Sequence, residues 1–102
     1  MNKNFIKEKL VPLIVENSDL KKTIKKISLF GSYLHGCHRP ESDVDLLIEF
    51  FPSVKMGFFG FFDIKNTMEQ TIGKNIDLLT PDGLSQYFRK EVLSEAEVIY
   101  EG

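Results

Sequence analysis

The 102-residue chain has no tryptophan, a single cysteine, no long hydrophobic run and no large excess of charge of either sign. The one cysteine, Cys37, excludes an internal disulfide and leaves no pair of thiols for a zinc knuckle. Thirteen basic and fifteen acidic residues give a net charge of −2, so overall charge favours neither nucleic-acid binding nor an anionic membrane surface. No apolar run approaches the roughly 20 residues of a membrane span, and the first residues lack the apolar region of a signal peptide. We therefore expect a cytoplasmic protein.

Phenylalanine, in contrast, is abundant, and six of the nine residues lie between Phe50 and Phe62. Phe50 follows an apolar run and Phe61 continues the apolar stripe of a predicted helix, so both are expected in the core. Phe59 and Phe62 lie about 100° or more around the helix from that stripe. They either fold beneath the preceding loop or form an exposed patch that contacts a partner.

The hydrophobic pattern predicts strands that alternate with helices in a single domain spanning residues 1–102. The predicted helices cover residues 5–15, 58–72 and 84–93, and the predicted strands cover residues 27–30, 44–51, 75–80 and 98–100. Pro12 lies inside the first helix and should kink it or start a new turn. The strand at 44–51 is almost wholly apolar, which is typical of a central strand covered on both faces. This order of elements predicts an α/β domain with a small sheet.

A glycine–serine pair, Gly31-Ser32, directly follows the first predicted strand, and Gly36 lies five positions beyond Gly31. Glycine at a strand end lets the backbone approach a ligand closely, because it has no Cβ. A helical turn that begins at Ser32 would present its free N–H groups and its hydroxyl to an anion such as phosphate. A plain turn that binds nothing is the alternative, since Gly-Ser pairs are common.

Two aspartates open the central strand. Asp43 and Asp45 are two positions apart, so their side chains share one face of an extended strand. Neighbouring carboxylates repel each other and both stay ionised only beside a cation, for which Mg²⁺ with its oxygen ligands is suited. In the alternative interpretation Asp43 ends a turn and Asp45 is solvated. The buried strand that follows argues against this alternative. Acidic residues at the start of a buried strand lie at the rim of the sheet, where α/β proteins bind ligands.

Asp77 is the one acidic residue of the predicted strand at 75–80. Taken alone, an aspartate on an edge strand is usually just exposed. Beside an aspartate pair on a neighbouring strand, it would complete a three-carboxylate site that can hold two metal ions for phosphoryl-transfer chemistry.

These motifs resemble the signature of the nucleotidyltransferase superfamily, which includes DNA polymerase beta and the aminoglycoside adenylyltransferases. The matching residues are Gly31-Ser32-Tyr33-Leu34-His35-Gly36 and, after five more residues, Ser42-Asp43-Val44-Asp45-Leu46. With so short a chain, the sequence resembles in particular the minimal nucleotidyltransferase (MNT) proteins. Those are typically the antitoxins of HEPN-domain ribonuclease toxins.

The resemblance implies the nucleotidyltransferase fold, a small mixed α+β sheet flanked by helices. It also implies a reaction that moves AMP from ATP to a tyrosine hydroxyl of a HEPN partner. The residues implied to bind the nucleotide phosphates are Gly31, Ser32 and Ser42. The resemblance also implies that two Mg²⁺ ions are bound by Asp43, Asp45 and Asp77. The same three residues are implied to be catalytic. Asp77 would also help to deprotonate the acceptor hydroxyl.

Two alternatives to this reaction stay open. The chain could be a non-catalytic antitoxin that masks the HEPN partner, or it could adenylylate a small molecule, which normally calls for a second domain. The three acids together with Gly31-Ser32 favour the enzyme, because a protein that only masks its partner needs no such cluster. The sequence does not decide the oligomeric state, and both a homo-oligomer and a hetero-oligomer stay open.

One departure from the family pattern lies between the two glycines. Many relatives carry Arg-Ala-Arg there, whereas this chain has Tyr33-Leu34-His35. Either His35, His38 or Arg39 supplies the missing positive charge, or the loop contributes less to binding the phosphates. A zinc site built from the two histidines and Cys37 is disfavoured, because the spacing is too compact and a fourth ligand is lacking.

Overall fold

The computed structural model describes residues 2–55 and 57–102, apart from the side chains of residues 58 and 59. Helices and strands alternate along this part of the chain. The helices are α1 (Lys3–Val15), α2 (Ser18–Thr23), α3 (Ser32–His35), α4 (Phe58–Ile72) and α5 (Arg89–Glu95), with a 3₁₀ turn at Pro81–Gly83. The strands are β1 (Ile24–Phe30), β2 (Val44–Phe50), β3 (Ile76–Leu79) and β4 (Glu97–Glu101).

The four strands form one mixed sheet in the order β3-β2-β1-β4. β1 runs antiparallel to both β2 and β4, whereas β2 runs parallel to β3. The predicted small mixed sheet is therefore confirmed. β2 has a hydrogen-bonded neighbour on each side, which accounts for its apolar sequence, since Val44, Leu46, Leu47 and Ile48 are all buried.

The hydrophobic core lies on one face of the sheet, beneath α1 and α4. Each helix contributes residues at helical spacing, and alternate residues of the strands meet them. The helix residues are Ile6, Leu10 and Ile14 of α1 with Ile64, Met68 and Ile72 of α4, and the strand residues include Ile27, Leu29, Leu46, Ile48, Ile76 and Leu78. Phe50 and Phe61, predicted in the core, are partly buried and pack against its margin with their ring centroids 6.4 Å apart, edge to face.

The side chains that alternate with the core residues project from the opposite face of the sheet. On β1 and β2 these include Phe30 and Asp45, which are paired across the two strands, and on β3 they include Asp77. The sequence-predicted carboxylates thus lie on the face that α1 and α4 leave open.

The last helix, predicted over residues 84–93, is present but begins five residues later than predicted, since α5 starts at Arg89. The residues before it form the 3₁₀ turn and a second turn, with Leu84 buried. The guanidinium of Arg89 donates hydrogen bonds to the carbonyls of Asp82 (3.2 Å) and Leu84 (3.1 Å). These contacts fold the segment back on itself, so side-chain hydrogen bonds to nearby carbonyls override the local helical pattern.

Smaller differences occur at the other elements. β1 begins at Ile24, three residues earlier than predicted, and the loop after it contains the single helical turn α3. Pro12 lies inside α1, which continues to Val15. Within the described residues, no helix combines the length and the apolar character needed to cross a bilayer.

Candidate active site

Three aspartates lie near one another at the end of the sheet where β2 and β3 begin. Asp43 precedes the first residue of β2, Asp45 is its second residue, and Asp77 is the second residue of β3. Asp45 and Asp77 are register partners in the parallel pair, so their side chains project from the same face of the sheet. The structure therefore brings together the three acids that the sequence singled out.

Mutual repulsion and burial act on Asp45. Its pKa is raised to about 6, first by burial of the carboxyl group and then by the negative charges of Asp77 and Asp43. Over residues 2–55 and 57–102, no basic side chain forms an ion pair with any of the three acids. The charge of the cluster is thus left for a ligand to balance.

The donor set of this cluster fits Mg²⁺. All three groups offer hard carboxylate oxygens, which this ion prefers to nitrogen or sulfur. In the described part of the chain, no three acidic, histidine or cysteine side chains already converge on one point at metal-binding distance. Mg²⁺ is usually held by one or two carboxylates together with waters and substrate phosphates, so a preassembled protein cage is not required.

Affinity for Mg²⁺ should decrease as the pH falls from 8 to 5. A proton competes with the metal ion for Asp45, whose pKa of about 6 in the metal-free protein leaves it ionised at pH 8 and mostly protonated at pH 5. This group alone should weaken binding about tenfold at pH 5. Isothermal titration calorimetry with MgCl₂ at both pH values measures the change, and equal affinities would contradict the assignment of Asp45 as a ligand.

Gly31 packs directly against the carboxylate of Asp45. Its backbone has φ +76° and ψ −152°, a conformation open essentially to glycine alone. A Cβ built at Gly31 would overlap the Asp45 carboxylate, so there is no room for a side chain. Gly31, predicted to let the backbone approach a ligand closely, is therefore placed against the carboxylate of Asp45.

The two predicted phosphate-binding serines differ in their surroundings. Ser32 is the first residue of α3 and is half-buried. Ser42 closes a turn with Arg39: the Arg39 N–H donates to the Ser42 hydroxyl oxygen, and the Ser42 N–H donates to the Arg39 carbonyl, both at 2.9 Å. The Ser42 hydroxyl keeps its own proton for a further acceptor.

The loop that departs from the family pattern is organised around Tyr33. The ring of His38 stacks on it with a centroid separation of 4.0 Å, and the Lys74 ammonium lies 5.9 Å from the Tyr33 ring centroid. Lys74 also donates a hydrogen bond to the carbonyl of Pro40, and together these contacts fix the loop that leads into Asp43. Sequence reasoning missed Lys74, because a single lysine after a helix carries no distinguishing pattern.

The two histidines contact different parts of the protein. His35 Nε2 lies 3.3 Å from a carboxylate oxygen of Glu95 on α5, whereas His38 faces Tyr33. Cys37, between them in sequence, is exposed. The two histidine rings and the Cys37 side chain therefore have different surroundings.

A cleft of about 490 Å³ adjoins the carboxylates on the side of α4. It is lined by residues that include Ser42, Asp43, Glu69 and Lys74. The Glu69 carboxylate accepts a hydrogen bond from the backbone N–H of Ile76 at 2.7 Å, which ties the end of α4 to the first residue of β3. This hydrogen bond fixes the position of Glu69 in the wall of the cleft relative to β3.

The predicted partner patch at Phe59 and Phe62 is only partly visible. The side chain of Phe59 lies outside the described residues, and Phe62 is 42% exposed with the Lys65 ammonium 5.4 Å from its ring centroid. Tyr87 and Phe88 are more exposed, at 84% and 61%. Sequence reasoning did not single out these two aromatic residues and placed both inside the predicted helix over residues 84–93.

The sequence of this chain matches a known protein family and known proteins. The family described as polymerase beta nucleotidyltransferase matches residues 8–102. The protein adenylyltransferase MntA of Thermococcus cleftensis is 33% identical over 79 residues, which cover 76% of this chain and 74% of that protein.

Two solved structures share the fold. A crystal structure of a toxin–antitoxin with AMP-PNP superposes with a TM-score of 0.72 at 18% identity, covering 94% of this chain and 73% of that one. The complex of a tri-AMPylated Shewanella oneidensis HEPN toxin with its MNT antitoxin gives a TM-score of 0.65 at 16% identity, covering 97% and 72%.

Proposed function

Since this chain belongs to the polymerase beta nucleotidyltransferase family, we propose that it transfers AMP from ATP to a tyrosine hydroxyl of a partner HEPN toxin. It would thereby act as the antitoxin of a toxin–antitoxin pair. We further propose that residues 1–102 form one minimal nucleotidyltransferase domain. The observation that carries this proposal is the proximity of Asp43, Asp45 and Asp77 to one another, beside the Gly31-Ser32 loop.

The reaction is a displacement at the α-phosphorus of ATP. The tyrosine oxygen forms a bond to this phosphorus, the bond to the bridging oxygen of the pyrophosphate breaks, and pyrophosphate leaves with the electron pair. Asp77, which is exposed, accepts the hydroxyl proton and can release it to water. Bound Mg²⁺, held by Asp43, Asp45 and Asp77 as two ions, would lower the pKa of the hydroxyl and neutralise charge on the entering and leaving oxygens.

The loop residues would position the triphosphate. Gly31 lets the backbone come close to the site without a side chain, and the Ser32 and Ser42 hydroxyls can donate to phosphate oxygens. Since the turn between Arg39 and Ser42 holds the Ser42 hydroxyl, this donor is fixed before the nucleotide binds.

The relatives support the choice of donor and acceptor. A protein adenylyltransferase is among the homologues, and a complex with an ATP analogue and a complex with an AMP-modified HEPN toxin share the fold. AMP is therefore the group, and a HEPN protein the acceptor, that we test first.

Incubating the purified chain with its HEPN partner, ATP and Mg²⁺ should add about 329 Da per modified tyrosine, the mass of AMP less water. Intact-protein mass spectrometry measures the increment, and tandem spectra locate the modified residue. An unmodified toxin that is nevertheless inhibited would contradict the transfer reaction and favour masking by binding. Omitting Mg²⁺ in the presence of a chelator should abolish the increment.

A further inference from the structure

A groove of about 330 Å³ lies between the α3 segment and α5, on the carboxylate side of the sheet. Phe30, Gly31 and Leu34 line it from one side, and Phe88 and Val92 line it from the other. Most of this lining is apolar, which suits a flat hydrophobic ring rather than a chain of phosphates.

The groove opens next to the reactive carboxylates. Phe30, which lines it, is the register partner of Asp45 in the antiparallel pair of β1 and β2, so the two side chains lie side by side on the same face. Directly paired residues have Cβ atoms about 4.5–5.5 Å apart. Gly31, the next residue, packs against the Asp45 carboxylate. A ring seated over Phe30 would therefore hold a substituent beside Asp45.

The far side of the groove is acidic. Glu91 and Glu95 are one turn apart on α5, and both line the groove and are exposed. Glu95 also contacts His35 across the groove at 3.3 Å. With two glutamates along one side, the groove attracts a segment that carries lysine or arginine.

We propose that this groove binds the ring of the acceptor tyrosine, and that Glu91 and Glu95 select an acceptor with basic residues next to that tyrosine. The ring would pack on Phe30 and Phe88 while its hydroxyl reaches the carboxylates. This inference rests on the proposed function, because it assigns the acceptor site of that reaction. The other ring that could enter is the adenine of ATP, which the experiment below separates from tyrosine.

The test compares two adjacent aromatic residues of the turn before α5. Phe88 lines the groove, whereas Tyr87, its neighbour, is not part of the lining, and both are exposed enough to be replaced without loss of core packing. The probes are a nine-residue peptide with a central tyrosine flanked by lysines, its alanine-centred counterpart, and a tyrosine peptide flanked by glutamates. Each is titrated into the protein with Mg²⁺ and AMP-PNP, and AMP-PNP is also titrated alone.

Phe88→Ala should weaken binding of the lysine-flanked tyrosine peptide about tenfold, because an aromatic contact is lost. Tyr87→Ala should change it less than about twofold. The alanine-centred peptide should not distinguish Phe88→Ala from the wild type. The lysine-flanked peptide should bind about tenfold more tightly than the glutamate-flanked one, and Glu91→Gln should reduce this preference several-fold.

Several results would overturn the inference. Equal effects of the two alanine variants, no binding of the lysine-flanked peptide, or no preference between the two flanking charges would each exclude the acceptor groove. Weaker binding of AMP-PNP alone to Phe88→Ala would assign the groove to adenine instead. Failure of the proposed function has a different signature, since peptides would bind as expected while wild-type protein adds no AMP to the toxin.

Discussion

Replacing Asp45 by asparagine should lower AMP transfer about a thousandfold or more while making the metal-free protein more stable near neutral pH. The loss of transfer is expected because the proposed mechanism assigns this carboxylate, at the point where β2 and β3 meet, to metal binding. The gain in stability follows from the raised pKa of Asp45, about 6, which burial, Asp77 and Asp43 produce together. At neutral pH the wild-type protein thus keeps a negative charge at Asp45 that destabilises the metal-free fold.

The pH dependence of this gain has a definite sign. Between pH 4 and 6 the folded wild-type protein binds a proton at Asp45 that the unfolded chain has already lost, so its stability decreases as the pH rises through this window. Asparagine does not titrate, and the variant should lack this decrease. The difference in unfolding free energy should reach about 1 kcal/mol above pH 7, after allowance for solvent screening of a half-buried group.

Urea denaturation of both proteins at several pH values, without metal, measures this difference. Adding MgCl₂ should raise the melting temperature of the wild type but not of Asp45→Asn, because binding to the folded state stabilises it. Asp63→Asn, a change of an exposed acid on α4, is the matched control and should behave as the wild type does in every respect. A variant at position 45 that keeps full transfer would show that Asp45 does not bind the metal.

Strong periodicity made several elements predictable from sequence. Helix α4 has the predicted bounds, since one apolar stripe and a terminal glycine define it from residue 58 to residue 72. The predicted ends of β2 and β3 lie within one residue of the observed ends. Each strand could be delimited because a turn-forming residue precedes or follows it in the sequence. The three acids and Gly31 could be singled out because each lies where a predicted strand begins or ends.

Tertiary pairing decided what could not be predicted. The alignment of Asp45 with Asp77 depends on the parallel pairing of β2 with β3, and no local pattern specifies which strands are neighbours or in what register. The start of α5 depends on Arg89, which donates hydrogen bonds to two backbone carbonyls nearby in the sequence. Such bonds leave no trace in a hydrophobic pattern. The groove beside Phe30 exists only because α5 and α3 are brought together.

Replacing Gly31 by alanine should both destabilise the fold and inactivate the site. Alanine is strained at φ +76° and ψ −152°, and its Cβ would overlap the carboxylate of Asp45. We expect the free energy of unfolding to fall by about 2–4 kcal/mol. Transfer by the fraction that remains folded should fall at least about a hundredfold, because Asp45 must move to make room. Denaturant unfolding and the rate of toxin modification measure the two effects.

The control at Gly36 separates backbone strain from the contact with Asp45. Gly36 also has a positive φ, +73°, but a Cβ there meets no atom of the described residues within 4 Å. Gly36→Ala should therefore cost about 1–2 kcal/mol of stability and leave the carboxylates in place. In the background of Asp45→Ala, which removes the overlapping carboxylate, Gly31→Ala should destabilise less than it does in the wild type. Equal destabilisation in the two backgrounds would mean that the glycine serves the turn alone, whereas coupling would show that its missing side chain makes room for Asp45.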